Sequence, residues 1–241
     1  MKKYSVLLIV MLAILCSCHH FLGRMVRGNG IVKTDERNIS PFKDLEVHGG
    51  IDVVIVQGEL KPIQIRGDEN LFNYIEVRQD GDRLIVGERD GFNLSPTDKM
   101  EIRVTAPAFQ HIALAGAGNI SAESKISATE ELELGLSGAG NINMEVDAPK
   151  LSANISGVGS LYLRGQTREV VVDLSGAGSA HCYDLMAENT RVDVSGVGSA
   201  EVFASVKLDA QVSGVGSVRY KGNAPEVNQH VSGVGSINKV Q

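Results

Sequence analysis

The 241-residue sequence contains no tryptophan, six prolines and three cysteines, and aromatic residues make up only 5% of it. Each scarcity removes a class of answer. With so few rings, a buried core has to be assembled from Leu, Ile, Val and Ala. Cys16 and Cys18 close an N-terminal apolar run, which leaves Cys182 alone in the rest of the chain. A lone thiol closes no internal disulfide, so packing must supply the stability. Excess positive charge is missing too: 23 Lys and Arg stand against 29 Asp and Glu, a formal net charge of −6. Such a chain has no electrostatic means of tracking a phosphate backbone, which argues against nucleic acid as a partner.

The apolar run Ser5–Leu15 is too short for a spanning helix, which needs about 20 apolar residues. Lys2 and Lys3 precede it and Leu15-Cys16-Ser17-Cys18 follows, the layout of a signal peptide over residues 1–17. Leu15 and Ser17 ahead of Cys18 resemble a bacterial lipobox, which implies lipid attachment at Cys18. Cys16 is the poorer acceptor because bulky Leu15 precedes it. The plain alternative is a secretory signal cut near Ser17. Acyl chains contribute about 0.8 kcal/mol per buried methylene, so several together anchor stably in a membrane. His19–Asn29 shows no alternation, and residues 18–29 read as a tether.

What the sequence has in abundance is glycine, 27 residues, and much of it is periodic. A motif of a small residue, Gly, Ala or Val, Gly, and Asn or Ser occurs seven times, starting at Ala115, Ser137, Ser156, Ser175, Ser195, Ser213 and Ser232. Successive starts lie 22, 19, 19, 20, 18 and 19 residues apart. Its glycines are Gly116 and Gly118, Gly138 and Gly140, Gly157 and Gly159, Gly176 and Gly178, Gly196 and Gly198, Gly214 and Gly216, and Gly233 and Gly235. Aliphatic residues alternate with polar ones on both sides: Leu114, Leu136, Ile155, Leu174, Val194, Val212 and Val231 stand just before the motif, and Ile120, Ile142, Leu161, Ala180, Ala200, Val218 and Ile237 just after. Period-two alternation on both sides means two strands per repeat, each with one buried face.

A unit of about 19 residues cannot bury its apolar face alone, but stacked units can, with equivalent positions about 4.8 Å apart. The expected fold is therefore all-β: a right-handed parallel β-helix over 108–241, the hand following from parallel crossover connections. The motif glycines are corner residues, needed either for positive φ or for close approach of backbones. The Asn or Ser closing each motif is placed to hydrogen-bond to its neighbour in the next coil. Whether the central Ala or Val points inward stays open. In the last coil Gln229 and Lys239 hold inward positions, as polar caps of a solenoid end do.

Residues 30–107 are β-rich but less regular. Leu45–Val47, Ile51–Val56, Ile63–Arg66, Ile75–Gln79, Leu84–Val86 and Met100–Thr105 read as strands. Asp80-Gly81 marks a hairpin, Glu69–Tyr74 a turn and Asp90–Lys99 a loop. This part is either irregular coils of the same solenoid, the favoured reading, or a capping sheet.

Gly28-Asn-Gly30, Arg37, Phe42, Leu45–Val47, Gln57-Gly58, Gly67-Asp-Glu-Asn-Leu71 and Thr105-Ala-Pro107, followed by the recurring Ser-Gly-x-Gly-Asn/Ser, resemble the auto-transporter adhesin head GIN domain family in order and spacing. The resemblance covers Gly28–Gln241. It implies a β-helical envelope lipoprotein of a kind common in Bacteroidetes, and it brings no catalytic residues with it.

Enzyme and cofactor signatures are wanting. The Gly-x-Gly units lack a third glycine and a following helix, and no phosphate-loop Gly-Lys-Ser/Thr occurs. The Gly-rich turns lack the Asp of calcium-binding rolls. His19, His20, His48, His111, His181 and His230 show no zinc-like spacing, and Cys182 falls on an inward position. No cofactor or metal is expected. One outer-face constellation remains. Asp173 and Asp193 occupy equivalent positions in successive coils, which puts them about 5 Å apart, with Arg191 and Asp209 in the adjacent column. This is either a solvated face or a sugar- or cation-binding surface, with acid/base capacity if the protein is a carbohydrate-active enzyme.

The reading is a non-enzymatic cell-envelope lipoprotein, membrane-held through Cys18, that presents a β-helical surface to a glycan, matrix or envelope component. A carbohydrate-active enzyme using Asp173 and Asp193, and a structural envelope protein without a dedicated ligand, are the alternatives. His19-His20-Phe21, in place of the acidic residues that favour surface export after a lipidated cysteine, leans towards the periplasmic side of the outer membrane.

Overall fold

Aliphatic side chains at equivalent positions of a repeat lower their exposure by stacking, and the strands follow them into register. In the computed structural model, which describes residues 23–241, Leu114, Leu136, Ile155, Leu174, Val194, Val212 and Val231 form one column, each paired in parallel with the next. The first six are buried. Ile120, Ile142, Leu161, Ala180, Ala200, Val218 and Ile237 form a second column across the core. The fold is a parallel β-helix built almost wholly from strands. Residues 1–22, with the expected signal peptide, Cys18 and the start of the tether, lie outside the described residues.

The columns continue beneath the recognisable repeats. Val47 lies under Leu114 and Val86 under Val47. Across the core, Val53 lies under Ile120 and Ile102 under Val53. Residues 44–57 and 83–106 are thus further layers of the same stack. Their order along the axis is not their order in sequence. The chain lays down Asp44–Gly49 and Asp52–Gln57, passes outward to Arg83–Glu88 and Glu101–Ala106, then returns to the other side with His111–Gly116.

Antiparallel strands close this outer end. Ile63–Asp68 pairs with both Glu101–Ala106 and Val32–Arg37. Ile75–Asp80 pairs with Arg83–Glu88 through a two-residue loop that opens with Gly81 at φ 57°. Both motifs of the N-terminal part are therefore present: parallel coils and an antiparallel cap. A closed end leaves no long parallel edge to pair with another chain. At the far end the final coil has nothing stacked on it among the described residues and is largely exposed. There Gln229 donates to the Tyr220 hydroxyl at 3.3 Å, and Lys239 donates to Asn223 Oδ1 at 3.1 Å, so polar side chains do finish the core.

Two local readings need correction. Phe92–Ser95, inside the stretch taken as a loop, is a strand, and its parallel partner is Arg24–Arg27, inside the stretch taken as a tether. Four-residue strands carry too little alternation to stand out, and their pairing partner lies far away in sequence. Glu69–Tyr74 is a 3₁₀ turn. No helix among the described residues is long and apolar enough to cross a membrane.

Candidate functional site

The glycine corners are settled by sterics. None of the motif glycines has positive φ. Instead, a Cβ on any of them, from Gly116 to Gly235, would overlap a carbonyl oxygen of the layer below. Close backbone approach is thus the requirement, and it holds at both glycines of every copy. The central residue between them points outward: Val158, Val197, Val215 and Val234 are 55–78% exposed. The closing Asn residues form a ladder. Asn119 donates to Asp52 Oδ1 at 2.8 Å, and Asn141 donates to Asn119 Oδ1 at 2.9 Å. Further along, the Ser179 and Ser199 hydroxyls are 3.3 Å apart. This edge is scaffold.

On the face that precedes each corner, Asp173 and Asp193 are register partners, flanked in their column by Asn154 and Gln211. Arg191 and Asp209 are partners one position pair away. The four residues are thus brought together as neighbours on an open sheet face: Asp173, Arg191 and Asp209 are exposed and Asp193 is half-buried. No loop walls them. No group of three or more His, Cys, Asp or Glu side chains among the described residues is arranged to hold a metal ion.

The face that follows each corner is different. One outward column runs Asn143, Tyr162, His181, Glu201, Arg219. The rings of Tyr162 and His181 stack, with centroids 4.7 Å apart and planes 12° from parallel. His181 Nδ1 lies 2.7 Å from Glu201 Oε2, and Arg219 reaches the other oxygen of Glu201 at 3.6 Å. Beside this column the strand Ser179–Val194 carries a bulge: Tyr162 pairs with His181 and Arg164 with Asp184, so Cys182 and Tyr183 together oppose Leu163. The extra residue keeps Cys182 in the core, 1% exposed, with its thiol pushed up to about 12 by burial and, secondarily, by Glu201. It also turns Tyr183 to the outer surface, where Lys221 Nζ sits 4.8 Å from the ring centre. Burial, and then Glu201, raises the Tyr183 phenol above its ordinary value. Asn143, Tyr162, Arg164, His181, Tyr183 and Asp184 line a cleft of about 310 Å³ here. The sequence held one trace of this site: the repeat from Ser175 to Ser195 is 20 residues, one more than its predecessor. Bulges cluster beside functional sites because they re-aim side chains.

A third polar centre is structural. Asp68 is fully covered and accepts from the Thr97 hydroxyl at 2.7 Å, the Thr97 amide at 2.8 Å and the Gly30 amide at 2.6 Å. These donors, the Thr97 hydroxyl foremost, hold its carboxyl below the ordinary value. A Cβ on Gly28 would collide with that carboxylate, and Gly30 has φ 78°. Gly28, Gly30 and Asp68 thus form one clasp that fastens the start of the fold to the loop at Thr97.

Several solved structures share this architecture. A protein from Bacteroides fragilis described as a putative adhesin superposes with a TM-score of 0.85 at 24% identity, covering 89% of this chain and all of its own. A Parabacteroides distasonis protein described as a putative lipid binding protein gives 0.76 at 24% identity, with 90% of this chain and all of its own covered. A putative adhesin from Parabacteroides merdae gives 0.70 at 25% identity over 90% of this chain and all of its own. No curated protein matches the sequence. The family described as "Putative auto-transporter adhesin, head GIN domain" matches residues 41–224, which span all the stacked layers but the last, the bulged face and most of the glycine corners, and the chain belongs to that family.

Proposed function

We propose that the protein is a non-enzymatic binding module of the cell envelope, lipid-anchored at Cys18, that engages its ligand through the face bearing Tyr162. The observation that carries this reading is the exposed Tyr162 ring, stacked on His181 and held by a row of paired polar side chains on a continuous sheet face. Strands stacked in register fix side-chain positions more tightly than loops do, which suits recognition of a rigid ligand at little entropic cost. Catalysis by contrast asks for convergent groups in a water-excluding pocket, and Asp173 and Asp193 lie on an open face.

The test uses intact cells and the purified mature domain. Lipidation predicts that the protein partitions into detergent phase and that Cys18→Ala releases it. Protease shaving reports which side of the outer membrane carries the domain. The domain should be retained on whole cells, matrix proteins or isolated envelope fractions in a manner that Tyr162→Ala reduces. Absence of retention on all three would refute the binding reading and leave a purely structural envelope role.

A further inference from the structure

We infer that the cleft beside Tyr162 is a glycan subsite that takes a neutral hexopyranose unit; this rests on the binding reading above and names its ligand class. The first argument is the ring. Tyr162 is stacked on His181 through one face, has the shorter Asn143 as its register partner on the other side, and as a residue is 43% exposed. Aromatic rings are scarce in this chain, and burying one would contribute about 1.5–3 kcal/mol. A tyrosine left on the surface forgoes that, so core packing does not explain its placement. The negative face of an aromatic ring attracts the partly positive C–H groups that a pyranose presents on its flat side.

The second argument is the polar rim. Asn143 offers both a donor and an acceptor, Arg164 donors only, and Asp184 acceptors only. All three line the same cleft as Tyr162. Sugar hydroxyls donate and accept, and a rim of mixed donors and acceptors matches them. The third argument is charge. Arg164 lies 3.5 Å from Glu145, and Glu201 is shared between His181 and Arg219. Positive and negative groups are matched locally, so the cleft projects no strong field of one sign. That favours an uncharged sugar over a sialylated or sulfated one. A volume of about 310 Å³ sits at the small end of ligand pockets, about 300–1,000 Å³, as one ring in a shallow site would require.

The experiment uses the mature protein, residues 18–241 with Cys18→Ala so that it carries no lipid, and immobilised neutral oligosaccharides built from glucose, galactose and mannose, with sialylated and sulfated chains and anionic phospholipid vesicles as separate arms. Because the chain has no tryptophan, Tyr162→Trp places a single indole at the ring position as a fluorescence reporter. The expected result is retention on at least one neutral glycan, a saturable change in indole emission with the same glycan in solution, and a loss of roughly tenfold or more in affinity for Tyr162→Ala. Tyr162→Phe should bind within about threefold of the parent, and Asp173→Asn/Asp193→Asn should bind unchanged. Unaltered thermal unfolding of the Tyr162 variants excludes a folding defect. The inference is overturned if no neutral glycan is retained, if retention is confined to the anionic or vesicle arms, or if Tyr162→Ala binds like the parent. Cell retention that survives with no glycan binding would sink this subsite while leaving the binding module intact, whereas loss of both would remove the module as well.

Discussion

Gly138 stands directly over the carbonyl of Gly116, with no room between them for a methyl group. Gly138→Ala therefore has to push one layer off another. The expected cost is about 1–3 kcal/mol or more, the range for overpacking a close contact. Val158, in the corner of the next layer and with its side chain 63% exposed, supplies the control: Val158→Ser should change stability by no more than about 0.5 kcal/mol. Urea unfolding followed by circular dichroism compares the two. Equal midpoints would contradict the steric account of the corners.

The Asp68 carboxyl is held below the ordinary 3.8 by hydrogen bonds from Thr97 and Gly30. A folded value below the unfolded one stabilises the fold at pH above 3.8, and that contribution disappears as pH falls through the folded value. Asp68→Asn should consequently melt well below the parent at pH 7, with the gap narrowing below about pH 4. Melting temperatures across pH 7 to about 2.5 decide it; a gap independent of pH would show that the carboxylate's charge is not what matters.

With its thiol raised to about 12, Cys182 is almost wholly protonated at neutral pH, and the reactive species is the thiolate. Maleimide or Ellman's reagent should leave the native domain unlabelled at pH 8 and label it fully in denaturant. Rapid native labelling would mean that the bulge opens on the timescale of the reaction.

Asp173 and Asp193 face each other across adjacent strands, and like charges so placed repel. Replacing either with Asn should raise stability by about 0.2–1 kcal/mol, more at low salt than at high. A loss of stability instead would point to a bound cation between the carboxylates and revive the acid/base reading of that face.

Much of this architecture was legible from residue spacing. Leu136, Ile155, Leu174 and Val194 recur at nearly constant intervals, and a solenoid converts such intervals directly into columns. The Tyr162 face was not legible for a related reason. Tyr162, His181, Glu201 and Arg219 belong to four different residue types, so no repeat pattern marks them. They become one surface only because consecutive layers place unlike side chains in line. Asp173 and Asp193 stand out in the sequence because they are alike, and likeness down a column is what repeats preserve for packing as readily as for chemistry.

The sequence alone determined the repeating coil, its glycine corners and its two inward columns, because each depends on contacts between residues one period apart. Tertiary structure alone decided that residues 83–106 lie outside residues 44–57, that antiparallel strands close that end, and that Arg24–Arg27 pairs with Phe92–Ser95. Those choices join segments whose separation follows no period. Which strand satisfies an open edge is then set by backbone hydrogen bonding and reach, and neither leaves a regular mark on the order of side chains.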